Sequence, residues 1–171
     1  MKRLLCVMAC WMFALTAGAQ SEPVEHAEAD VQVAKRMPSF ALRDLNGVEV
    51  RAGHFQGKSL LVVFWLSTDR NCRQQMPVLV DLQKAFGGTE FTVIGIALDP
   101  AGPEGVKTYV REQGVNFPVL MADYKTVQDF GGLRFVPTAF VIDKNHNIIS
   151  KYEGQTEKKT FADELKAIVR K

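Results

Sequence analysis

The residues best suited to chemistry lie in one short segment, Phe64 to Pro77, which reads F-W-L-S-T-D-R-N-C-R-Q-Q-M-P. It carries one cysteine, Cys72, and an aspartate, Asp69, three residues before it. Two cysteines at this spacing can exchange disulfides, because the first sulfur attacks as a thiolate and the second resolves the mixed disulfide. A carboxylate cannot attack in this way. We therefore predict at most single-thiol exchange through Cys72, the candidate catalytic residue.

The surroundings of Cys72 allow two interpretations. Free cysteine is among the most buried residue types, so one interpretation is a small core residue on the inner face of a helix. The start of a helix and the flanking Arg70 and Arg73 favour the thiolate, whereas burial and the nearby Asp69 disfavour it. We expect the unfavourable contributions to prevail unless the arginines fold over the site. Asp69 is expected to cap the helix by accepting its free N–H groups.

The first 19 residues are predicted to be a secretory signal peptide. Lys2 and Arg3 precede an apolar stretch from Leu4 to Ala17, and Ala17-Gly18-Ala19 has the small-x-small pattern of a cleavage site. The stretch is shorter than the roughly 20 residues of a membrane-spanning helix, which disfavours an uncleaved N-terminal anchor. Val7 to Cys10 resembles a lipobox, so a lipoprotein is the other alternative. We expect a periplasmic or otherwise exported protein with no stable membrane span.

Cleavage after Ala19 would change both the charge and the cysteine content. The remaining chain would carry 19 basic and 19 acidic residues, a balance that disfavours nucleic acids and anionic membranes as partners. The cleavage would also remove Cys6 and Cys10, leaving Cys72 as the only thiol. A single cysteine in an oxidising compartment is either buried and inert or pairs with a thiol from another molecule.

Two further parts of the chain follow the predicted signal peptide. Residues 20–36 are polar, acid-rich and without a sustained period, and we predict a flexible tether. Residues 37–171 are expected to form one domain, because 47% apolar residues suffice for a core without disulfides. The three histidines, His26, His54 and His146, are scattered among tether, loop and turn, so we expect neither a metal site nor a cofactor.

The first half of the domain has a pattern of alternating strands and helices. Asn46-Gly47 between two alternating segments predicts a β-hairpin with a tight two-residue turn. The apolar runs from Leu60 to Leu66 and from Phe91 to Leu98 predict buried strands. A helix that begins after Asp69 would join them as a right-handed crossover between parallel strands. Pro77 lies inside this helix, where a kink is expected. The face predicted to be buried comprises Cys72, Met76, Leu79, Leu82 and Phe86.

The second half continues the alternation. The predicted elements are a helix over 104–113, a strand over 117–121, a short helix over 124–130, strands over 138–143 and 148–152, and an amphipathic C-terminal helix carrying Phe161, Leu165, Ile168 and Val169.

Several motifs along the chain carry a family resemblance. They are M-P-S-F-A-L-R-D-L-N-G from Met37, the F-W strand end, R-Q-Q-M-P, G-V-N-F-P-V-L, and F-V-P-T-A-F-V-I-D-K from Phe135. With these motifs, residues 37–171 resemble the exported TlpA/ResA-type thioredoxin family, also called redoxin or AhpC/TSA-like. The resemblance implies a thioredoxin-like α/β fold, with a central mixed β-sheet flanked by helices and an N-terminal β-hairpin. It also implies thiol–disulfide chemistry in the bacterial cell envelope.

The departures from the family pattern cluster at one site. By the resemblance, Asp69 stands where the family has its attacking cysteine, and Thr68 where it has a tryptophan. Gln75 replaces a buried glutamate thought to help move protons. The positions that keep the family's residue types are Trp65, Cys72 and Pro137. The site therefore resembles a degenerate active site on an intact scaffold.

The resemblance also implies a binding edge. In the family, the proline matching Pro137 is cis and faces the active-site motif, and the backbone of Val136 would be free to pair with an extended peptide. The candidate binding residues are Trp65, Thr68, Asp69, Val136 and Pro137. The expected partners are exported thiol or disulfide proteins, or extended peptides.

Three functions are consistent with these features. The first is a redox protein in which Cys72 forms a mixed disulfide that another molecule resolves. The second is a non-catalytic module that binds a peptide or protein segment beside Pro137. The third is a peroxiredoxin-like peroxidase, in which a threonine and an arginine such as Arg134 would activate the thiolate. The carboxylate of Asp69 argues against the third, because it disfavours a thiolate.

Overall fold

The computed structural model describes residues 36–169. The predicted signal peptide and nearly all of the predicted tether lie outside these residues. Within the described part, no helix is both long and apolar enough to cross a membrane. The elements in chain order are β1 (Ala41–Arg43), β2 (Glu49–Arg51), a short 3-10 helix (Ala52–Phe55), β3 (Ser59–Trp65), α1 (Arg70–Phe86), β4 (Phe91–Ala97), α2 (Pro103–Glu112), β5 (Val119–Met121), α3 (Tyr124–Asp129), β6 (Thr138–Ile142), β7 (Ile148–Glu153) and α4 (Lys158–Val169).

The N-terminal hairpin forms as predicted, but its turn is longer than expected. Strands β1 and β2 pair antiparallel, with Ala41 opposite Arg51. The amide of Asp44 donates to the Val48 carbonyl at 2.8 Å, which leaves three residues in the loop rather than two. The Asp44 carboxylate accepts the amides of Asn46 and Val48, both at 2.8 Å. Gly47 adopts a φ of 84°, which suits the last residue of a three-residue loop.

A five-stranded mixed sheet forms the centre of the domain, in the order β5-β4-β3-β6-β7. Strands β3, β4 and β5 are parallel, and β6 runs antiparallel to β3 and β7. Both β3 and β4 are buried along their whole length, as expected for strands covered on two faces. The carboxyl ends of β3 and β4 therefore meet the amino end of β6 at one edge of the sheet.

Helices cover both faces of this sheet and create two core clusters. One cluster lies on the side of α1 and α4 and includes Trp65, Cys72 and Phe161. The other contains the aromatic residues Phe64, Phe130 and Phe140, whose rings meet edge to face. The helix face predicted from the sequence is correct: Cys72, Met76, Leu79 and Leu82 are buried, and Phe86 packs against the same cluster.

Candidate functional site

The first turn of α1 is organised by Asp69. This residue has extended backbone angles, φ −76° and ψ 134°, and its carboxylate accepts the amide of Cys72 at 2.9 Å. An aspartate here satisfies one of the free N–H groups at the helix start, and its charge interacts favourably with the positive end of the helix. The predicted role of Asp69 as N-cap is confirmed. The cap also places a carboxylate next to Cys72.

The thiol of Cys72 is enclosed, with 1% of the residue exposed to solvent. Burial raises the pKa of Cys72 to about 12, and the carboxylates of Asp69 and Asp99 act in the same direction. The amide of Leu66 donates to Sγ at 3.5 Å, which favours the thiolate but does not offset burial. Burial and the two carboxylates thus favour the neutral thiol, in the direction expected from the sequence.

The arginines beside the helix start do not fold over the thiol. Arg73 donates to the carbonyl of Ser67 at 3.2 Å, and its guanidinium carbon lies 5.0 Å from the centroid of the Tyr109 ring. Arg70 is exposed on the outer side of the first turn. The condition under which an activated Cys72 was expected is thus not met.

Trp65 lies in the core rather than on a lip of the site. It is 1% exposed, and its ring packs against the Tyr109 ring at a centroid distance of 5.4 Å. Its indole nitrogen reaches across β4 to lie above Gly95, which has no side chain to obstruct it. As placed, Trp65 cannot touch a bound partner. The structure therefore places Trp65, one of the candidate binding residues, in the core.

Gly95 gives a direct test of this packing. A Cβ at position 95 would lie 3.0 Å from the Trp65 indole nitrogen and 3.2 Å from a Phe117 ring carbon. Both rings are buried and have little room to move, so we expect Gly95→Ala to destabilise the domain by about 1–3 kcal/mol. Urea unfolding measures this. Gly88→Ala is the control, because a Cβ there has no neighbour within 4 Å; equal costs for both variants would contradict the packing.

Gln75 holds α1 to the loop that precedes α4. This side chain is 2% exposed, and its amide nitrogen donates to the Thr156 carbonyl at 3.0 Å while its oxygen accepts the Thr156 amide at 2.7 Å. Both polar groups of the amide are satisfied by one backbone residue. A carboxylate could accept but not donate in this arrangement. Gln75 is therefore a structural clamp and cannot exchange protons.

The clamp predicts a pH-dependent cost for Gln75→Glu. Burial and the facing Thr156 carbonyl should raise the pKa of the introduced carboxyl above its usual value of about 4.3. Its protonated form can donate to that carbonyl, so the variant should approach the parent in stability below about pH 4.3. As pH rises from about 4.3 through the folded-state pKa, the variant should lose free energy of unfolding relative to the parent. The total loss should be about 1.4 kcal/mol for each unit by which folding raises the pKa of the carboxyl.

The measurement is urea unfolding of parent and variant between pH 4 and pH 8. Gln74→Glu is the matched control, because Gln74 is the adjacent residue and is exposed to solvent. A flat difference between Gln75→Glu and the parent across this range would show that the side chain does not stay in the clamp.

The segment before β6 lies at the same edge of the sheet as the helix start. The Val136-Pro137 bond is cis, as the resemblance implied, and Phe64 of β3 pairs with Thr138. Pro137 is buried and Val136 is half-buried. Among the described residues, the backbone N–H and C=O of Val136 have no hydrogen-bond partner. These two groups can pair with an added strand.

One exposed residue at this edge was missed from the sequence. Phe135 is 60% exposed, although the apolar side chain of a folded domain is usually covered. No pattern in the sequence singles out Phe135, because it belongs to the apolar segment F-V-P-T-A-F-V, whose residues are expected to be buried. Thr68 is also exposed and Asp69 is half-buried.

Comparison with known proteins assigns the family. The family model described as redoxin matches residues 32–168. The chain belongs to the redoxin family. It is 26% identical over 141 residues to the thiol-disulfide oxidoreductase ResA of Bacillus thuringiensis subsp. konkukian, which covers 82% of this chain and 81% of that protein.

Solved structures confirm the predicted fold. A thiol:disulfide interchange protein of the thioredoxin family from Chlorobium tepidum TLS superposes with a TM-score of 0.73 at 29% identity, over 81% of this chain and 98% of that one. A putative thioredoxin from Neisseria meningitidis gives 0.69 at 29% identity, over 81% and 92%. This redoxin chain therefore has a thioredoxin-like α/β fold with a central mixed sheet.

Proposed function

We propose that this redoxin is an exported protein that binds extended polypeptide segments at the Val136-Pro137 edge and carries out no two-thiol exchange. The observation that carries the proposal is the state of Cys72, which is 1% exposed with a pKa of about 12. A buried neutral thiol is a poor nucleophile. The neighbouring edge, in contrast, offers free backbone groups to a partner.

The family pattern supports the loss of exchange chemistry. Asp69 stands in the position of the attacking cysteine, three residues before Cys72, and its carboxylate is engaged in capping α1. Thr68 and Gln75 replace two further residues of the family's site, and Gln75 is held in the clamp with Thr156. In this proposal the exchange site has become a structural helix start.

The binding edge combines two modes of contact. Val136 supplies one N–H and one C=O for pairing with an extended chain, a form of strand addition. Phe135, the residue before Val136, exposes an aromatic ring that would contact an apolar side chain of the partner. The partner is therefore an extended, partly apolar polypeptide in the cell envelope. The export is inferred from the predicted signal peptide.

Single-thiol exchange through Cys72 is the second candidate. Cys72 lies in the first turn of α1 and its sulfur accepts the Leu66 amide, the arrangement that would stabilise a thiolate. Exchange would require the thiol to become exposed before it could react. A peroxidase is less compatible with the site, because Asp69 raises the pKa of Cys72 where an activating group is needed.

The proposal is tested by binding to a permanently unfolded chain without thiols. Fluorescein-labelled, reduced and carboxymethylated α-lactalbumin serves as the probe, and fluorescence anisotropy gives the affinity. We expect Phe135→Ala to weaken binding by at least about fivefold. Val48→Ala is the matched control, because Val48 is also 60% exposed but lies between the hairpin loop and β2. No binding by the parent, or equal losses in both variants, would overturn the proposal.

A further inference from the structure

Four residues form a short loop between β3 and α1, and two of them hydrogen-bond with Cys72. We call residues 66–69 the covering loop. Its first residue, Leu66, donates its amide to the sulfur of Cys72, and its last, Asp69, caps the amide of the same residue. The Asp69 amide in turn donates to the Leu66 carbonyl at 3.3 Å. The two ends of the covering loop therefore both contact Cys72, one at its sulfur and one at its backbone amide.

Asp99 contacts this loop from a distant part of the sequence. Its two carboxylate oxygens accept the amide of Ser67 at 3.2 and 3.1 Å, and one of them also accepts the Ser67 hydroxyl. Arg73 donates to the Ser67 carbonyl from the other side. Ser67 is thus held by its amide, its hydroxyl and its carbonyl. No other residue of the covering loop has so many contacts outside the loop within the described part of the chain.

Asp99 differs from the other aspartates at this edge of the sheet, because its carboxylate does not cap the helix that follows it. Asp69 and Asp123 each cap the helix that directly follows them, through the amides of Cys72 and Thr126. Asp99 is followed by a turn, and the N-cap of the next helix is Gly102. Its side chain instead reaches back 32 residues to the covering loop. A local capping role therefore does not explain its orientation.

We propose that Asp99 is a positioning residue that holds the covering loop closed over Cys72. In this arrangement the contacts of the covering loop keep solvent from Cys72, which lies in the first turn of α1 on its buried face. Releasing Ser67 would free the Leu66 amide from the sulfur and open a path for solvent. The inference does not depend on peptide binding at Val136.

The test measures alkylation of Cys72 by iodoacetamide in the folded full chain, read by mass spectrometry of the peptide that contains Cys72. We expect Asp99→Ala to raise the rate by about ten- to a hundredfold, because charge-assisted hydrogen bonds to Ser67 are lost. Asp99→Asn removes the same negative charge but keeps one acceptor oxygen in place. It should raise the rate by no more than about threefold, since three contacts are only partly lost.

A second control separates local opening from unfolding. Asp123→Ala removes a carboxylate that accepts the Thr126 amide at 2.6 Å and that does not touch the covering loop. Global stability is measured for all variants by urea unfolding. The proposal requires acceleration in Asp99→Ala that is absent from Asp123→Ala at comparable stability. Equal alkylation rates in Asp99→Ala and Asp99→Asn would assign the effect to the lost charge alone. Equal alkylation rates in Asp99→Ala and Asp123→Ala would assign it to unfolding. Either result overturns the proposal.

Discussion

Replacing Asp69 by cysteine should convert this chain into a disulfide reductase. The substitution places two thiols three residues apart at the start of α1, within a thioredoxin-like fold. It also removes the carboxylate that raises the pKa of Cys72. A thiol at the exposed side of a helix start is stabilised as the thiolate. We expect the variant to reduce insulin disulfides with dithiothreitol as electron donor, at a rate well above the background given by the parent.

Two variants identify the source of the gained activity. Asp69→Ser removes the carboxylate and keeps an N-cap side chain without adding a thiol, so it should stay inactive. Asp69→Cys combined with Cys72→Ser leaves one thiol and should lose the gained turnover, because nothing resolves the mixed disulfide. An inactive Asp69→Cys variant that folds normally would contradict this expectation, and would mean that Thr68 and Gln75 also prevent the exchange.

The unmodified chain should react very slowly at its cysteine. An unfolded thiol with a pKa of about 8.5 is half ionised at that pH, whereas Cys72 has a pKa of about 12 in the folded state. Ionisation alone then slows alkylation at pH 8.5 by roughly a thousandfold relative to the unfolded chain. Because the folded pKa is raised, stability contributed by the neutral thiol is present below about pH 8.5 and is lost as pH rises towards the folded value.

The measurement compares alkylation rates of folded and urea-unfolded chain from pH 5 to pH 10, read at Cys72. The folded rate should rise through the whole range without levelling off. A rate that reaches a plateau well below pH 8.5 would reveal an activated thiolate, and the single-thiol candidate would then replace peptide binding as the better description.

Much of the fold was predictable because its signals are local. Apolar runs of seven and eight residues identified β3 and β4, and the position of Asp69 identified the start of α1. The hairpin loop was predicted one residue too short, since the Asn46-Gly47 pattern does not show that Asp44 accepts two amides of the loop. By accepting these two amides, the Asp44 side chain stabilises a three-residue loop where Asn46-Gly47 alone predicts a two-residue turn.

The contacts that decide the chemistry of the site were not predictable in the same way. Gln75 meets Thr156, 81 residues later, and Asp99 meets Ser67, 32 residues earlier. Neither pairing leaves a periodic pattern in the sequence. Trp65 ended in the core because Gly95, on the neighbouring strand, leaves room for its indole. Such contacts depend on strand register and helix placement, which a local pattern does not contain.

Binding by this protein should not require the thiol of Cys72. The affinity of Cys72→Ser for an unfolded probe tests this most directly. Parent and variant are titrated side by side against carboxymethylated α-lactalbumin and against the same protein with free thiols. Because Cys72 is buried and neutral, we predict equal dissociation constants within about twofold for both proteins and both probes. Loss of binding in Cys72→Ser, together with a mixed disulfide formed between the parent and the thiol probe when oxidised glutathione is added as the oxidant, would contradict the account.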